Sequence, residues 1–139
     1  MILKYGLKII INNYMKTFKE YLTERVYIDQ LERIEHSINQ KAGHFNIRFR
    51  LAGNHFFDRI NTDRNKIEIT PNYIEKIFEK LLVRYGKLLI TMREGSEFIL
   101  KDASSNVVVP IVVKPNNIFA AKTIMQKANF YTRDKTLRV

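Results

Sequence analysis

The segment His55-Phe-Phe-Asp-Arg59 carries the side chains of this sequence that are best suited to acid–base chemistry. On a helix, His55 and Arg59 are four residues apart and therefore share one face. An imidazole exchanges a proton near neutral pH, and a guanidinium stabilises the extra negative charge of a phosphate under attack. The pair is suited to cleaving RNA without a metal ion, with His55 acting on the proton of the 2′-hydroxyl or of the leaving oxygen.

Further basic residues flank this pair in the sequence. Arg48 and Arg50 precede it and Arg64 follows it, at positions suited to binding neighbouring phosphates. Because the 2′-hydroxyl of RNA would itself be the nucleophile, the hypothesis predicts no cofactor. Two other interpretations stay open: a histidine near a helix start often caps the helix or lies on the surface, and Arg59 with Asp58 forms a structural ion pair as readily as a phosphate site.

Several other chemistries are disfavoured by the sequence. It has no cysteine, which excludes disulfides and thiolate metal sites and makes the cytoplasm the expected location. It also lacks a glycine-rich phosphate loop, a nucleophile elbow and a His-x-x-x-His pair. His36, His44 and His55 would need carboxylates to hold a metal ion, and the spacing of the nearby acidic residues is not diagnostic. We therefore predict neither a metal nor a cofactor.

The charge balance favours a polyanionic partner. The 139 residues include 24 Lys and Arg against 14 Asp and Glu, a net charge of +10. Residues 1–42 contribute +2, and residues 43–90 and 91–139 contribute +4 each. No long run of a single sign exists, so the excess belongs to a folded surface and not to a basic tail. RNA is the expected partner, with DNA also allowed because phosphate binding alone does not distinguish them.

The first third of the chain has helical periodicity. Apolar residues recur at helical spacing from about Leu3 to Asn39, and Gly6 with a possible cap at Asp29 indicates two helices that end before Gly43. The apolar start is interrupted by lysines and is too short to span a membrane, so we expect an amphipathic helix packed on the body and no membrane partner.

The pattern then changes to an alternation typical of a strand. In His44–Arg50, Phe45, Ile47 and Phe49 alternate with polar residues, which predicts a half-buried strand that exposes Arg48 and Arg50. A short helix is expected over about 55–63.

A second helix is predicted from Pro71, with Thr70 as N-cap and Gly86 at its end. Its stripe of apolar and tyrosine side chains over 73–85 is expected to be core, which leaves Phe130 and Tyr131 as candidates for base stacking.

Four strand-like runs follow, with a possible fifth near the C-terminus: Lys87–Met92, Glu97–Lys101, Val107–Val113 and Ile118–Lys127. The turn-like gaps between them are of hairpin length, which predicts an antiparallel sheet. Pro110 lies inside the third run and indicates an edge strand or a bulge. The prediction is one α+β domain over 1–139, with a helical part over 1–42 and a body over 43–139 whose central antiparallel sheet has about four to five strands packed on helices.

The layout from Phe45 to Leu82 resembles the RelE/barnase/EndoU/colicin superfamily of small metal-independent ribonucleases. The likeness is nearest to the phage RegB-type endoribonucleases. It is carried by Phe45-Asn-Ile-Arg-Phe49, His55-Phe-Phe-Asp-Arg59, Arg64 and the apolar helix 71–85, and it covers about half the chain. The resemblance implies an α+β fold, an RNA substrate, products with 2′,3′-cyclic phosphate ends, and catalysis by His55 beside Arg59.

RegB-type enzymes use a second histidine, and no histidine follows His55 here. The resemblance implies that a residue of the late strands replaces it: Lys122, Thr123, Tyr131 or Arg133. We therefore expect a metal-independent endoribonuclease of phage or toxin type.

In this hypothesis His55 is the general acid or base, and Arg59 and Arg64 stabilise the transition-state charge. Thr123 holds a phosphate oxygen, and the remaining basic residues bind RNA: Arg48, Arg50, Lys122 and Arg133. Two alternatives remain, a non-catalytic nucleic-acid-binding protein on the same fold and a phage protein that binds an acidic host protein.

Overall fold

The computed structural model describes residues 28–51, 56, 59–60 and 69–139. Helix α1 runs over residues 28–42, and helix α2 spans Pro71–Ile90. Short 3-10 helices cover Gly43–Phe45 and Pro115–Asn117. The strands are β1 (Arg48–Arg50), β2 (Glu97–Asp102), β3 (Val107–Lys114), β4 (Ile118–Ala121), β5 (Met125–Gln126) and β6 (Lys135–Arg138). The predicted α+β class is confirmed, and the predicted helix before residue 28 lies outside the described residues.

The strands form one sheet in the order β1-β4-β3-β2-β6, with β5 continuing beside β3 after β4. Its centre, β4-β3-β2, is antiparallel as the hairpin-length gaps predicted. The two outer strands, β1 beside β4 and β6 beside β2, pair in parallel. These parallel pairs join strands that are distant in sequence, which turn lengths do not reveal.

Helix α2 begins as predicted but continues past its predicted end. The side chain of Thr70 accepts a hydrogen bond from the backbone N–H of Tyr73 at 3.1 Å, and Pro71 occupies the first turn. The helix runs through Gly86 to Ile90, so both the predicted end at Gly86 and the predicted strand Lys87–Met92 are wrong. Leu89 is buried on the same face as the earlier apolar residues, so the helical period continues.

Gly86 serves close packing. A Cβ atom at Gly86 would lie 2.5 Å from the ring of Phe45, so only a residue without a side chain lets the helix and the ring approach. Phe45 belongs to the 3-10 helix Gly43–Phe45, which ends at Asn46 with a φ of 57°. The predicted strand His44–Arg50 is therefore confirmed only at Arg48–Arg50, because its first residues form this turn out of α1.

Pro110 marks a bulge, one of the two alternatives that the sequence left open. Three residues, 122–124, lie opposite two residues of β3, Val109 and Pro110, so the predicted strand Ile118–Lys127 is divided into β4 and β5. The carbonyl of Pro110 accepts a hydrogen bond from the N–H of Lys122 at 2.9 Å. Since proline has no N–H to donate on that side, the ladder is interrupted there.

Helix α1 covers the outer edge of β1. The side-chain amide of Asn39 bonds both backbone groups of Phe49, at 3.0 Å to its carbonyl and 2.7 Å from its N–H. Glu35 accepts the N–H of Leu51 at 2.8 Å. These contacts satisfy an edge that would otherwise present unpaired groups. Asp29, a possible cap in the sequence, lies inside α1.

The helices pack on one face of the sheet. The buried side chains of α1 and α2 pack in one cluster with those of one sheet face, such as Phe49, Phe98 and Phe119. Strand β5 ends beside Val107 and β6 begins beside Phe98, so residues 127–134 must cross the sheet from one end to the other. No helix in the described residues is long and apolar enough to span a membrane.

Candidate nucleic-acid interface

Strand β1 places two predicted phosphate-binding residues on the face away from the helices. Its residues alternate between exposed Arg48 and Arg50 and buried Phe49. The ring of Phe49 packs edge-on against Phe78 at 5.1 Å and Phe119 at 5.9 Å between centroids. The exposure of the two arginines is thus confirmed and follows from burying the phenylalanine between them.

The strand register adds a third cation. Arg48 pairs with Ile118, which in turn pairs with exposed Lys114, so Arg48 and Lys114 lie in one row two strands apart. At about 4.8 Å between neighbouring strands, their Cα atoms are roughly 10 Å apart. Arg50 belongs to the next row of the same face, which leads through Ala120 to Glu97.

Lys122 lies on the same face, at the bulge between β4 and β5. Its Nζ is 3.0 Å from Oε1 of Glu97 on β2, so the side chain reaches across β3 to meet a residue of the Arg50 row. We call Arg48, Arg50, Lys114 and Lys122 the basic sheet face. Thr123 is the middle residue of the bulge and is half-buried. Four cations against Glu97 suit this face to binding phosphates.

Arg133 is an exposed residue of the connection between β5 and β6, two residues before β6. It therefore lies at the end of the sheet where β2 begins. In the same connection Tyr131 is 90% exposed and Phe130 is half-buried. Base stacking by either ring stays a prediction.

The predicted catalytic helix is described in part. Phe56 and Ile60 are helical and buried in the core cluster, and Arg59 is helical and exposed. Phe56 and Ile60 thus form the inward face of this segment, which keeps Arg59 at the surface. His55 and Arg64 lie outside the described residues, so their roles remain predictions.

The other histidines are placed away from the basic sheet face. His36 lies on α1, where its Nε2 is 3.3 Å from the side-chain amide of Gln40. His44 belongs to the 3-10 helix after α1. Within the described ranges, no group of three or more His, Cys, Asp and Glu residues could hold a metal ion.

Sequence reasoning missed a polar cluster on the helix face of the sheet. Asp102, at the end of β2, is 4% exposed, and its carboxylate accepts hydrogen bonds from Tyr73, Ser104 and Ser105. The backbone N–H of Ser104 also donates to it at 3.1 Å, which forms an Asx-turn. The sequence Asp-Ala-Ser-Ser signals this turn, but nothing in it predicts the tyrosine from α2.

The cluster shifts the pKa of both titratable members. Burial by itself raises the pKa of Asp102, but the hydrogen bonds from Tyr73 and the two serines outweigh it, so the net shift is downward from 3.8. Burial, followed by the hydrogen bond to Asp102, raises the pKa of Tyr73 well above 10.0. Both carboxylate oxygens are satisfied and the cluster is closed, so its role is to lock the β2–β3 turn onto α2.

No protein-family model, no curated protein and no solved structure matches this chain. The resemblance to the RelE/barnase/EndoU/colicin ribonucleases is therefore carried by the residues quoted for it and stays a prediction.

Proposed function

We propose that the protein is a metal-independent endoribonuclease of phage or toxin type that binds RNA on the basic sheet face. The observation that carries the proposal is the meeting of Arg48, Arg50 and Lys122 on one face. They come from parts of the chain that are far apart in the sequence, and the sequence alone predicts each of them to bind RNA. The exposed Arg59 follows β1 closely along the chain, which supports a cleavage site at the β1 edge of this face.

In the proposed reaction, the 2′-hydroxyl of the RNA attacks the adjacent phosphorus. The new O2′–P bond forms as the P–O5′ bond breaks, which yields a 2′,3′-cyclic phosphate and a 5′-hydroxyl. His55 either removes the proton of the 2′-hydroxyl or protonates the leaving O5′ oxygen, and one of the late-strand residues expected to replace the second histidine transfers the other proton. Arg59 and Arg64 stabilise the charge of the pentacoordinate phosphorus, and the basic sheet face holds the flanking phosphates.

A second candidate is a nucleic-acid-binding protein without catalytic activity. It is favoured by the ion pair between Lys122 and Glu97, because this lysine, one of the residues able to replace a second histidine, is already engaged. Such a protein would use the same basic sheet face and release its RNA intact.

The two candidates are separated by incubating the protein with total RNA in the presence of EDTA. We expect discrete fragments that end in 2′,3′-cyclic phosphates. The change His55→Ala should slow their formation by about 10²–10⁴-fold, because it removes a general acid or base. His36→Ala is the matched control: it removes an imidazole that contacts Gln40 on α1 and should cleave at the wild-type rate.

Intact RNA that is bound by both the wild type and the His55→Ala variant would overturn the nuclease and support the binding protein. Equal cleavage by the wild type and the His55→Ala variant would reject the role of His55. Products with 3′-hydroxyl ends would reject attack by the 2′-hydroxyl.

A further inference from the structure

The solvent face of α2 carries a second set of cations. Its four basic residues are spaced four, four and three positions apart, so they fall on one side of the helix: Lys76, Lys80, Arg84 and Lys87. All four are exposed, and from first to last they extend over about 16 Å of the helix axis. We call them the α2 basic stripe.

The acidic residues of α2 are kept apart from this stripe. Glu75 and Glu79 lie on the flank that faces α1, where Ser37 donates to Glu75 at 3.2 Å and Lys41 pairs with Glu79. Within the described part of the chain, Lys76, Lys80 and Lys87 make no ion pair. The guanidinium of Arg84 donates to the backbone carbonyl of Arg138 at 3.5 Å, which leaves its charge without a counter-ion there.

This arrangement is unfavourable for an isolated helix. Like charges four residues apart repel, whereas alternating Glu and Lys on the same face would stabilise it. Val83 lies beside the stripe, between Lys80 and Arg84 along the helix, and is 86% exposed, so no described residue covers it. An uncovered row of uncompensated cations is suited to an extended polyanion.

The stripe is separate from the basic sheet face. Helix α2 packs with its apolar residues on one side of the sheet, whereas Arg48, Arg50 and Lys122 lie on the other. The two sets of cations therefore point in opposite directions, and one short stretch of RNA cannot contact both.

We infer that the α2 basic stripe is a second binding surface for the phosphate backbone of a nucleic acid, independent of its base sequence. The inference rests on the proposed function only in taking a nucleic acid as the ligand. It does not depend on cleavage. A membrane surface is a poorer fit, because a helix that lies on lipid inserts a continuous apolar face, and that face of α2 is buried in the core. The stripe would hold a long RNA while the sheet face binds another segment of it.

The test uses the intact protein and a long single-stranded 2′-O-methyl RNA, which binds but lacks the nucleophile for cleavage. The stripe variant carries Lys76→Gln, Lys80→Gln and Lys87→Gln. The control variant removes the same charge elsewhere through Arg93→Gln, Lys127→Gln and Lys135→Gln, all at exposed positions. Affinity is measured over a range of salt concentrations, and circular dichroism confirms that both variants fold.

Loss of three contacts to a single strand should lower the slope of log K against log salt by about 2 in the stripe variant. The control variant should change it less. Equal slopes for the two variants would overturn the inference. Unchanged RNA binding by the stripe variant, together with lost binding to vesicles of phosphatidylcholine and phosphatidylserine, would overturn it in favour of a membrane.

Cleavage of unmodified RNA is measured in parallel. Absence of cleavage with a stripe-dependent salt slope would reject the nuclease and keep the second surface. Cleavage together with a salt slope that the stripe variant leaves unchanged would keep the nuclease and reject the second surface.

Discussion

Asp102 shows how a single buried charge is accommodated in this domain. Its carboxylate is removed from water at the end of β2, which is costly for an ion. Tyr73 and the serines of the following turn donate hydrogen bonds that replace those lost from water. The pKa of Asp102 is lowered because these hydrogen bonds outweigh the effect of burial. Tyr73 comes from α2, so the same contacts fix the helix relative to the β2–β3 turn.

We expect Tyr73→Phe to destabilise the protein by about 1–3 kcal/mol at neutral pH, because it removes a donor from a buried carboxylate. The lowered pKa of Asp102 contributes stability above 3.8 that is lost as the pH falls through the folded-state pKa. The raised pKa of Tyr73 contributes stability below 10.0 that is lost as the pH rises above that value. The difference in free energy of unfolding between the wild type and the variant should therefore become smaller at both low and high pH.

Urea unfolding at neutral pH, at pH below 3.8 and at pH above 10.0 measures this difference. Tyr85→Phe is the control, since its hydroxyl donates to the backbone carbonyl of Arg138 at 2.9 Å and contacts no carboxylate. A loss of stability on Tyr73→Phe that stays constant across the pH range would show that the Tyr73–Asp102 hydrogen bond does not cause the two pKa shifts.

At the scale of elements, the packing of α2 decides where the helix and the first strand begin and end. Gly86 is a typical helix-ending residue, yet here it lies in the helix with the ring of Phe45 against its backbone. The 3-10 turn that carries Phe45 also shortens β1 to the three residues that hold Arg48 and Arg50 outward. The geometry of the basic sheet face thus depends on a contact between two apolar positions elsewhere.

We expect Gly86→Ala to destabilise the protein although alanine is the better helix former. The new Cβ atom would approach the Phe45 ring to 2.5 Å, and such overpacking costs about 1–3 kcal/mol, against a gain in helix propensity of about 1 kcal/mol. Thermal unfolding of the variant measures the balance. Adding Phe45→Leu should recover part of the loss.

Gly43→Ala serves as a control, because a Cβ atom there would meet no atom within 4 Å. If Gly86→Ala were as stable as Gly43→Ala, the close approach of the ring would have no energetic role.

At the scale of the whole molecule, cations of the described residues cluster on two opposite surfaces, the basic sheet face and the α2 basic stripe. The sheet face combines cations from β1, β3 and the bulge after β4, and Glu97 neutralises one of them. Among the residues that the structure describes, no acid pairs with the α2 basic stripe. Affinity for RNA should therefore depend on salt through both surfaces.

We expect Glu97→Gln to increase the affinity for RNA and to steepen its salt dependence, since Lys122 would be released to contact a phosphate.

Arg48→Gln combined with Arg50→Gln should decrease the affinity for RNA and lower the slope of log K against log salt by about 1.4 on single-stranded RNA. Fluorescence anisotropy with 2′-O-methyl RNA measures both effects.

The exposed Glu94→Gln is the control for charge alone, because it also removes one negative charge close in sequence to Glu97. An equal gain in affinity from both glutamine variants would show a general effect of net charge and would reject a local role for the ion pair.

The sequence alone determined the α+β class, the N-terminus of α2, the core stripe of that helix, the outward direction of Arg48 and Arg50, and that Pro110 marks either an edge strand or a bulge. These features follow from local rules: a cap, a missing N–H, and alternation between water and core over a few residues. They can be predicted from the sequence because each depends on residues that are neighbours in the chain.

Only the tertiary structure decided that Arg48, Lys114 and Lys122 share one face, that Gly86 lies within a helix, and that Asp102 meets Tyr73. Each depends on groups from separate elements of the fold, and no local pattern encodes which strands pair in parallel or which ring fills a gap. Burial of apolar surface selects these partners jointly. The basic sheet face is the consequence, since the arginines point outward only because Phe49 is held between Phe78 and Phe119.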